Sequence, residues 1–431
     1  MTLSLNPPKG TADRFPDEFR IRKYIFDTRR NTCESFWYAE YLWPLVEDAA
    51  IREAKSWEDV WGTELTKITD REGKISSSAL RPEMTPTVTR MVAKNRRHET
   101  KPVRRFSIAN FYRNERPQRW RNREFRQCNV DMFGAKTMQA EVEVLQMGIE
   151  MVKSFGATNE QFEVNINHRH LIDTFLKDIV LLDEVLKEEA VRTMDKRNKM
   201  DEEKFVSVLV EKWCSVWQAS QIVEFMKTKN LEELIETYPW LKSSQWYTEL
   251  NEIIQLLKDL WYSEYIFFKS SLMRGFDYYD GMVFEVFDLH PDNNRAMFGG
   301  GRYNWLADIF GVKNSIPAVW FAPGDEPAKL FIESRGLMNR IDDNKFIYIY
   351  MPLLNETDFV TLSKEAITYR KDGARVEMWV KVQKNFGKQM DLAKKKWCTK
   401  MIYLEKGKIM EKILFEKSND RIDTSNIFWD I

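Results

Sequence analysis

The amino-acid sequence predicts an α+β domain in which a mostly antiparallel sheet is flanked by helices, with a helical insertion and a C-terminal α/β domain. Two groups of strand-like segments predict the sheet, and a long helical block rich in Lys, Glu and Leu separates them. A tail in which strands and helices alternate predicts a second domain with a mostly parallel sheet. The predicted bounds are 1–168 and 259–335 for the sheet-forming core, 169–258 for the insertion, 336–345 for a linker and 346–431 for the tail.

Periodicity and turn residues predict the individual elements. Residues 137–155 form the clearest helix, with Val142, Leu145 and Ile149 on one face and Thr137 as its N-cap. Further core helices are predicted at 14–34 and 326–333. Core strands are predicted at 41–46, 64–70, 76–80, 104–112, 125–134, 162–167, 264–269, 281–288 and 315–322. The tail is predicted to contain strands 346–350, 375–378 and 401–404 and helices 356–371 and 385–396.

Composition and charge exclude several classes of protein. The 66 basic residues balance 66 acidic ones, so any RNA contact depends on local basic patches rather than on net charge. No apolar run approaches the roughly 18 residues that span a membrane, and Met1–Pro7 lacks the charged start and apolar core of a secretory signal. The four cysteines are scattered without metal-ligand spacing. We therefore expect a cytoplasmic protein with free thiols and no metal site.

The most informative segment is Phe111–Gln127, which places six arginines and two carboxylates among aromatic residues. A strand at 106–112 leads into a polar turn at 117–122, and a second strand follows at 125–133. Arginines on such a hairpin suit a phosphate ligand, because the guanidinium group forms two parallel hydrogen bonds with it. The alternative interpretation of this segment alone is a solvated charged hairpin.

Two further features of the sequence favour a binding site. In Leu80–Pro86, a strand meets a helix whose first turn accommodates Pro86, and Glu83 and Thr85 at this junction suit an ammonium group. The second feature consists of two segments, Met273–Gly281 and Phe298–Leu306, which together contain a glycine run, one cation and two phenols. The glycines allow the backbone to approach a ligand closely. The cation is Arg274, and the phenols are Tyr279 and Tyr303.

These motifs resemble those of histidyl-tRNA synthetases, a family of class II aminoacyl-tRNA synthetases. Arg113–Gln118 resembles the family's motif 2, and Arg274–Tyr279 and Gly300–Tyr303 resemble its two histidine-specific motifs. The resemblance extends from Pro8–Thr11 to the C-terminal segment. It implies a class II catalytic core, an insertion that contacts the tRNA acceptor arm, an anticodon-binding domain at 346–431 and a homodimer.

The resemblance also implies a reaction and its residues. L-histidine and ATP would form histidyl-adenylate, and the histidine would then pass to the 3′ end of tRNA(His). Negative charge develops on the α-phosphate, so fixed cations are the main catalytic requirement, and we expect Arg113 and Arg274 to supply them. Glu115 and Arg121 are the other expected ATP-binding residues, and Mg²⁺ would bridge the phosphate oxygens.

The expected histidine pocket offers hydrogen-bond partners for both ends of the amino acid. Asp131 would accept a ring N–H, and a buried pocket of paired groups rejects analogues that lack them. Glu83, Thr85 and Gln127 would hold the α-ammonium group. The full expected set is Glu83, Thr85, Gln127, Asp131, Arg274, Tyr278, Tyr279 and Tyr303, of which Tyr278 also suits a core position.

One position departs from the family pattern. Motif 3 normally ends in an arginine that contacts ATP, and Pro327 stands in that place, with Lys329 or another cation as a substitute. This departure keeps a non-catalytic alternative open, in which the chain is a histidine-binding regulatory subunit of ATP phosphoribosyltransferase. A class II synthetase for another amino acid is a third interpretation, against which the two histidine-specific motifs argue.

The balance of glycine and tryptophan is unusual. The chain has 17 glycines and 15 tryptophans, whereas a usage near 7% predicts about 30 glycines. Trp120, Trp305 and Trp320 stand where a turn or a close backbone approach is expected, and the family usually has glycine at the last of these. We hypothesise that the gene uses UGA for glycine and that the sequence was translated with UGA as tryptophan. A genuinely tryptophan-rich protein is the alternative.

Overall fold

The computed structural model comprises two compact units, Met1–Ile341 and Asp342–Ile431. The backbone is described for residues 3–53, 65–117, 122–197, 200–212, 214–273, 278–293, 296–313, 316–340, 347–396 and 398–414.

Fifteen strands and thirteen α-helices lie within these residues. The strands are β1 (Ala39–Glu40), β2 (Val46–Asp48), β3 (Lys67–Thr69), β4 (Ile75–Leu80), β5 (Val103–Tyr112), β6 (Glu124–Phe133), β7 (Phe162–His168), β8 (Ile266–Phe268), β9 (Met282–Asp288), β10 (Ala296–Tyr303), β11 (Ala318–Phe321), β12 (Tyr348–Met351), β13 (Arg375–Met378), β14 (Lys400–Glu405) and β15 (Lys408–Ile413). The helices are α1 (Pro16–Ser35), α2 (Ala50–Glu53), α3 (Thr85–Asn95), α4 (Gln139–Lys153), α5 (Arg169–Asp178), α6 (Glu184–Asp195), α7 (Glu202–Lys212), α8 (Val216–Lys227), α9 (Leu231–Thr237), α10 (Gln245–Asp259), α11 (Asp325–Ser334), α12 (Phe359–Lys371) and α13 (Phe386–Lys395).

An eight-stranded sheet organises the first unit, in the order β1-β5-β6-β11-β10-β9-β7-β8. The six inner strands pair antiparallel, and only the two edge pairs, β1 with β5 and β7 with β8, are parallel. The predicted mostly antiparallel sheet is therefore confirmed. A second sheet of the order β2-β4-β3 lies in the same unit.

The two faces of the large sheet carry different residues, because side chains alternate along a strand. On one face, Val130 and Phe284 belong to a large apolar core that α4 covers. On the other face, Phe111 and Phe133 join a second core that includes residues of α3. The second face also carries buried polar residues of β6, and the candidate site lies there.

Helices α5 to α10 lie between β7 and β8 in the chain. Polar caps fix several of their starts: Ser215 and Gln218 form a capping box at α8, and Asn230 and Ser244 cap α9 and α10. Buried residues such as Phe175 and Phe225 extend the apolar core into these helices. The sequence predicted this helical block, and its role as an insertion that contacts RNA stays a prediction.

The second unit has a four-stranded sheet in the order β13-β12-β14-β15. Strand β12 runs parallel to β13 and β14, as the alternating pattern predicted, whereas β15 is antiparallel to β14. The sequence did not predict β15, because Lys408–Ile413 lacks the period-2 alternation of apolar and polar residues and all six residues are exposed.

Three local predictions were wrong, and the first is the strand at 41–46, where residues 41–45 instead connect β1 to β2. The glycine run at 299–301 was not predicted as a strand, yet it lies inside β10, where pairing with β9 and β11 outweighs the low strand preference of glycine. Thr137 is not the N-cap of α4, because Met138 holds that position without a side-chain hydrogen bond. The Thr137 carbonyl instead accepts from the backbone N–H of Ala140 and from Arg302.

A buried ion pair joins β10 to α4 and supports a stability prediction. Arg302 donates to both carboxylate oxygens of Glu141 and, at 3.0 Å, to the carbonyl of Ala135. We expect Glu141→Gln to lower the free energy of unfolding by about 3–5 kcal/mol, because it leaves a buried guanidinium without its counter-charge. Urea unfolding of the full chain measures this.

The matched control is Glu143→Gln on the same helix. Glu143 pairs with Arg104 at 2.7 Å, and both side chains are partly exposed, so the expected loss is at most about 1 kcal/mol. Equal losses for the two variants would contradict the prediction.

Candidate functional site

The candidate site occupies one face of the large sheet, around the β5–β6 hairpin. Phe125, Gln127, Asn129 and Asp131 alternate along β6 and therefore share this face. Gln127 is half-buried, and its backbone bridges to Gly324 before α11. The hairpin thus carries a row of polar groups from an accessible end to a buried end.

Asp131 forms the buried end of this row. Its side chain is fully buried, and the hydroxyl group of Tyr303 donates to one carboxylate oxygen at 3.3 Å. The other oxygen has no hydrogen-bond partner among the described residues. Burial raises the pKa of Asp131 from 3.8 to about 8, and the charge of Glu83 adds to this effect. The carboxyl group is therefore a hydrogen-bonding group that the described protein leaves half satisfied.

Tyr303, the partner of Asp131, belongs to a cluster of three tyrosines. The ring of Tyr278 lies 5.7 Å from that of Tyr303 and 4.8 Å from that of Tyr279, measured between centroids. Glycine at 301 makes this packing possible, because a Cβ atom there would lie 2.7 Å from the Tyr279 ring. The structure therefore brings the predicted Tyr278, Tyr279 and Tyr303 together beside Asp131, with Tyr278 half-buried in the apolar core.

The junction before α3 supplies further polar groups. Glu83 and Thr85 are buried, and α3 begins at Thr85 with Pro86 in its first turn, as predicted. The hydroxyl group of Thr85 has no hydrogen-bond partner within the described part of the chain. The negative charge of Glu83 acts on Asp131, which places this junction next to the buried end of the site.

Arg113 is held at the end of β5. Its Nε donates to the carbonyl of Pro82 at 2.9 Å, and its guanidinium carbon lies 5.0 Å from the centroid of the Phe125 ring. These contacts tie Arg113 to the same junction that carries Glu83. The side chain of Glu115 is buried, and its carbonyl accepts from Arg123 at 3.1 Å.

The N-terminal turn packs against the loop end of the hairpin. The Arg123 N–H donates to the carbonyl of Gly10 at 2.7 Å. Gly10 has φ +89°, and a Cβ atom there would lie 2.7 Å from Cγ of Arg123 and 2.9 Å from Cγ of Pro117. Glycine is therefore required by both the backbone conformation and the close contact.

Two predicted residues lie outside the described residues. These are Arg121, which follows the motif 2 segment in the sequence, and Arg274, in the first histidine-specific motif. Trp120 lies outside them as well. Their roles stay predictions that rest on the sequence.

Asn129 is a site residue that the sequence analysis missed. It is almost fully buried between Gln127 and Asp131 in the row. Neither the oxygen nor the nitrogen of its side-chain amide has a hydrogen-bond partner among the residues described. Ser107, opposite Asn129 in the ladder, also has a buried hydroxyl group without a partner in the described chain. The period-2 pattern through Gln127 and Asp131 was the available signal for Asn129.

The start of α11 contains Pro327, the residue at which the chain departs from the family's motif 3 pattern. Pro327 lies in its first turn, next to Glu326, which accepts from Arg14 at 2.6 Å and Arg22 at 2.7 Å. Lys329 forms ion pairs with Glu333 and Glu18. Arg14, which precedes α1, and Arg22 on α1 therefore bring positive charge to Glu326, the residue before Pro327.

The described residues contain no group of three or more His, Cys, Asp or Glu side chains that could hold a metal ion. None of the described helices combines the length and apolar character that crossing a membrane requires.

Comparison with known proteins gives a consistent result. A family model described as histidyl-tRNA synthetase matches residues 10–323. A protein of Leptospira biflexa serovar Patoc named histidine–tRNA ligase is 34% identical over 388 residues, which cover 90% of this chain and 87% of that protein.

Solved structures show the same fold. A histidyl-tRNA synthetase from Nostoc sp. PCC 7120 superposes with a TM-score of 0.77 at 20% identity, covering 96% of this chain and 97% of that one. A Bacillus halodurans protein described as an ATP phosphoribosyltransferase regulatory subunit/histidyl-tRNA synthetase gives 0.76 at 21% identity, covering 94% and 99%.

Proposed function

The chain belongs to the histidyl-tRNA synthetase family, and we propose that it activates L-histidine with ATP to histidyl-adenylate and transfers histidine to the 3′ end of tRNA(His). The observation that carries this proposal is the half-satisfied carboxyl group of Asp131. It lies fully buried beside Tyr303, within an aromatic setting. An imidazole N–H has the size and polarity to complete its hydrogen bonding.

The α-ammonium group of the substrate has its own proposed partners. Glu83 supplies a negative charge and Thr85 an unsatisfied buried hydroxyl group at the start of α3. Gln127 lies two positions beyond Asn129 on the same face of β6. A substrate that spans from these groups to Asp131 would be fixed at both ends, which orients its carboxylate.

The activation step requires positive charge at the α-phosphate. In the proposed reaction, a carboxylate oxygen of histidine attacks the α-phosphorus of ATP and pyrophosphate leaves. Arg113 would stabilise the developing charge, because its Nε contact with Pro82 holds the guanidinium group in place before the reaction. Arg274 is proposed for the same charge, and Glu115 and Arg121 for the remaining contacts with ATP.

Mg²⁺ fits this proposal as a companion of ATP. The described residues provide no cluster of three acidic, histidine or cysteine ligands, and Mg²⁺ in nucleotide sites is commonly held by phosphates, waters and one or two carboxylates. Glu115 is the predicted ATP-binding residue that carries a carboxylate. When bound, the ion would neutralise phosphate charge.

The remaining proposals concern partners and location. In the second unit, exposed lysines would contact the phosphates of the tRNA anticodon arm. They are Lys381, Lys384, Lys388, Lys394, Lys395 and Lys396. A homodimer and a cytoplasmic location are proposed on the basis of family membership alone.

One observation favours the second candidate, a histidine-binding regulatory subunit of ATP phosphoribosyltransferase. Pro327 stands in the place of the motif 3 arginine, and Lys329, a candidate substitute, forms ion pairs with Glu333 and Glu18. Such a protein would bind histidine without using ATP. The two candidate functions therefore differ in whether the protein catalyses histidine-dependent ATP–pyrophosphate exchange.

ATP–pyrophosphate exchange with each of the twenty amino acids tests the proposal. Protein from the native cells should be used, so that the result does not depend on how UGA is translated elsewhere. We expect exchange with histidine alone. Histidine binding without exchange would support the regulatory candidate, and exchange with another amino acid would contradict both.

A further inference from the structure

Two tryptophans occupy backbone that favours glycine. Trp37 follows α1 with φ 66°, and Trp261 follows α10 with φ 68°. Both side chains project into solvent, being 86% and 91% exposed, so no packing contact compensates for the left-handed conformation. Left-handed backbone is unfavourable for residues with a Cβ atom and easy for glycine.

The hydrogen bonds at these helix ends identify the motif. After α1, the N–H of Tyr38 donates to Cys33 at 3.0 Å and that of Trp37 to Glu34 at 2.9 Å. After α10, Tyr262 and Trp261 form the equivalent bonds, at 2.8 and 3.1 Å. This is the Schellman motif, in which the left-handed residue is usually glycine.

Another helix in the chain shows the motif with glycine. After α12, Ala374 donates to Tyr369 at 2.9 Å and Gly373 donates to Arg370 at 3.1 Å. Gly373 has φ 84°. Three helix ends thus share one geometry, and two of them have tryptophan where the third has glycine.

Trp320 conflicts with its surroundings in a different way. Its side chain is 4% exposed, and its indole N–H has no hydrogen-bond partner in the described residues, a costly arrangement for a buried donor. The indole ring stacks on Tyr279 at 6.4 Å with an interplanar angle of 11°, and lies 6.3 Å from the Tyr278 ring. Trp320 pairs with Asp131 in the ladder, so the indole fills space on the site face.

One cause accounts for all three positions and for the shortage of glycine. We propose that UGA is read as glycine in the cells that make this protein, and that the native chain carries glycine at positions 37, 261 and 320. Each substitution removes a local conflict: two left-handed tryptophans and one buried indole N–H. It also matches the composition of 17 glycines and 15 tryptophans.

Glycine at 320 has a functional consequence, which rests on the proposed function. Removing the indole leaves a space bordered by Asp131, Tyr278 and Tyr279. An imidazole ring is smaller than an indole and carries the N–H that Asp131 can accept. Position 320 therefore decides whether the amino-acid pocket is open or filled.

Peptide mass spectrometry of the protein purified from its native cells tests the codon assignment directly. Trypsin releases peptides 31–52, 259–269 and 314–329, which contain the three positions. We expect fragment ions that place glycine at 37, 261 and 320. Tryptophan at these positions would overturn the proposal.

Recombinant full-length variants test the backbone argument independently. Trp37→Gly and Trp261→Gly should each raise Tm, by about 1–3 °C. The matched control is Trp217→Gly, because Trp217 is half-exposed within α8, where glycine has no conformational advantage. A rise for the control equal to the other two, or a fall in Tm for both Trp37→Gly and Trp261→Gly, would contradict the argument.

Calorimetric titration with L-histidine tests the pocket. We expect the Trp320→Gly protein to bind histidine and the Trp320 protein to show no binding. If native peptides carry glycine at 320 and the Trp320→Gly protein does not bind histidine, the codon assignment stands and the proposed function fails. Equal binding by both proteins would refute the role of position 320.

Discussion

In protein that carries glycine at positions 37, 261 and 320, which serves as the wild type here, replacement of Arg113 by alanine is expected to lower histidine-dependent ATP–pyrophosphate exchange by about 10²–10³-fold, the usual effect of removing one fixed group that stabilises transition-state charge. Arg113 is suited to this role by its position. Its Nε contact with the Pro82 carbonyl and its place over the Phe125 ring hold the guanidinium group at the end of β5. A cation that is already oriented does not need to reorganise as charge develops.

Arg113→Lys separates charge from geometry. Lysine keeps the positive charge but has neither the Nε donor nor the planar fork that grips phosphate at two points. We therefore expect exchange between that of the wild type and that of the alanine variant. Equal rates for lysine and wild type would mean that charge alone is sufficient.

The matched control is Arg104→Ala. Arg104 lies on the same strand but faces the opposite side of the sheet, where it pairs with Glu143 on α4. We expect this variant to show near-normal exchange. If Arg113→Ala retained exchange within a few-fold of wild type while remaining folded, Arg113 would not contact the reacting phosphate.

The hairpin shows which features the sequence could predict. Strands β5 and β6 were predicted closely because apolar and polar residues alternate on both sides of a polar turn, and their ladder extends over ten residue pairs. The fold class followed from the same local patterns. Local periodicity is strong evidence for long amphipathic elements.

Two features could not be predicted from the sequence: the strand conformation of a glycine run and the role of a buried side-chain amide. Strand β10 contains Gly299, Gly300 and Gly301, whose strand conformation depends on neighbours distant in the chain. Asn129 carries no charge and belongs to no short motif, so only its burial without partners marks it as a site residue. Both features arise from tertiary contacts, which local patterns do not encode.

The assembly of the site was predictable only through the family resemblance. Glu83, Arg113, Asp131 and Tyr303 come from separate segments of the chain, and the sheet brings these segments onto one face. Composition and spacing indicated phosphate and ammonium binding at single segments. They gave no information on which segments meet.

Replacement of Asp131 by asparagine is the second large expected effect, and it concerns histidine recognition. In the same background with glycine at position 320, we expect the KM for histidine to rise about 10²-fold, because a charge-assisted hydrogen bond contributes roughly 1.5–3 kcal/mol. The matched control is Asp288→Asn, another buried strand carboxylate, which pairs with Arg335 at 2.5 Å on a different part of the sheet. The control should lower stability and leave the KM for histidine unchanged.

The raised pKa of Asp131 provides a second readout, the dependence of stability on pH and on bound histidine. Burial raises this pKa from 3.8 to about 8 in the folded chain. Between these values the folded protein keeps a proton that the unfolded chain has lost. The contribution of Asp131 to the free energy of unfolding is therefore greatest below about pH 4, and it falls as pH rises through about 8.

Asparagine does not titrate, so the stability of Asp131→Asn relative to wild type should increase from about pH 4 to about pH 8 and then level off. Urea unfolding at a series of pH values measures this difference. Bound histidine should reduce the slope, because an imidazole N–H that pairs with the carboxylate favours its charged form and lowers its pKa. A slope that histidine leaves unchanged would show that the ligand does not reach Asp131, and the imidazole would then have to be recognised by other groups.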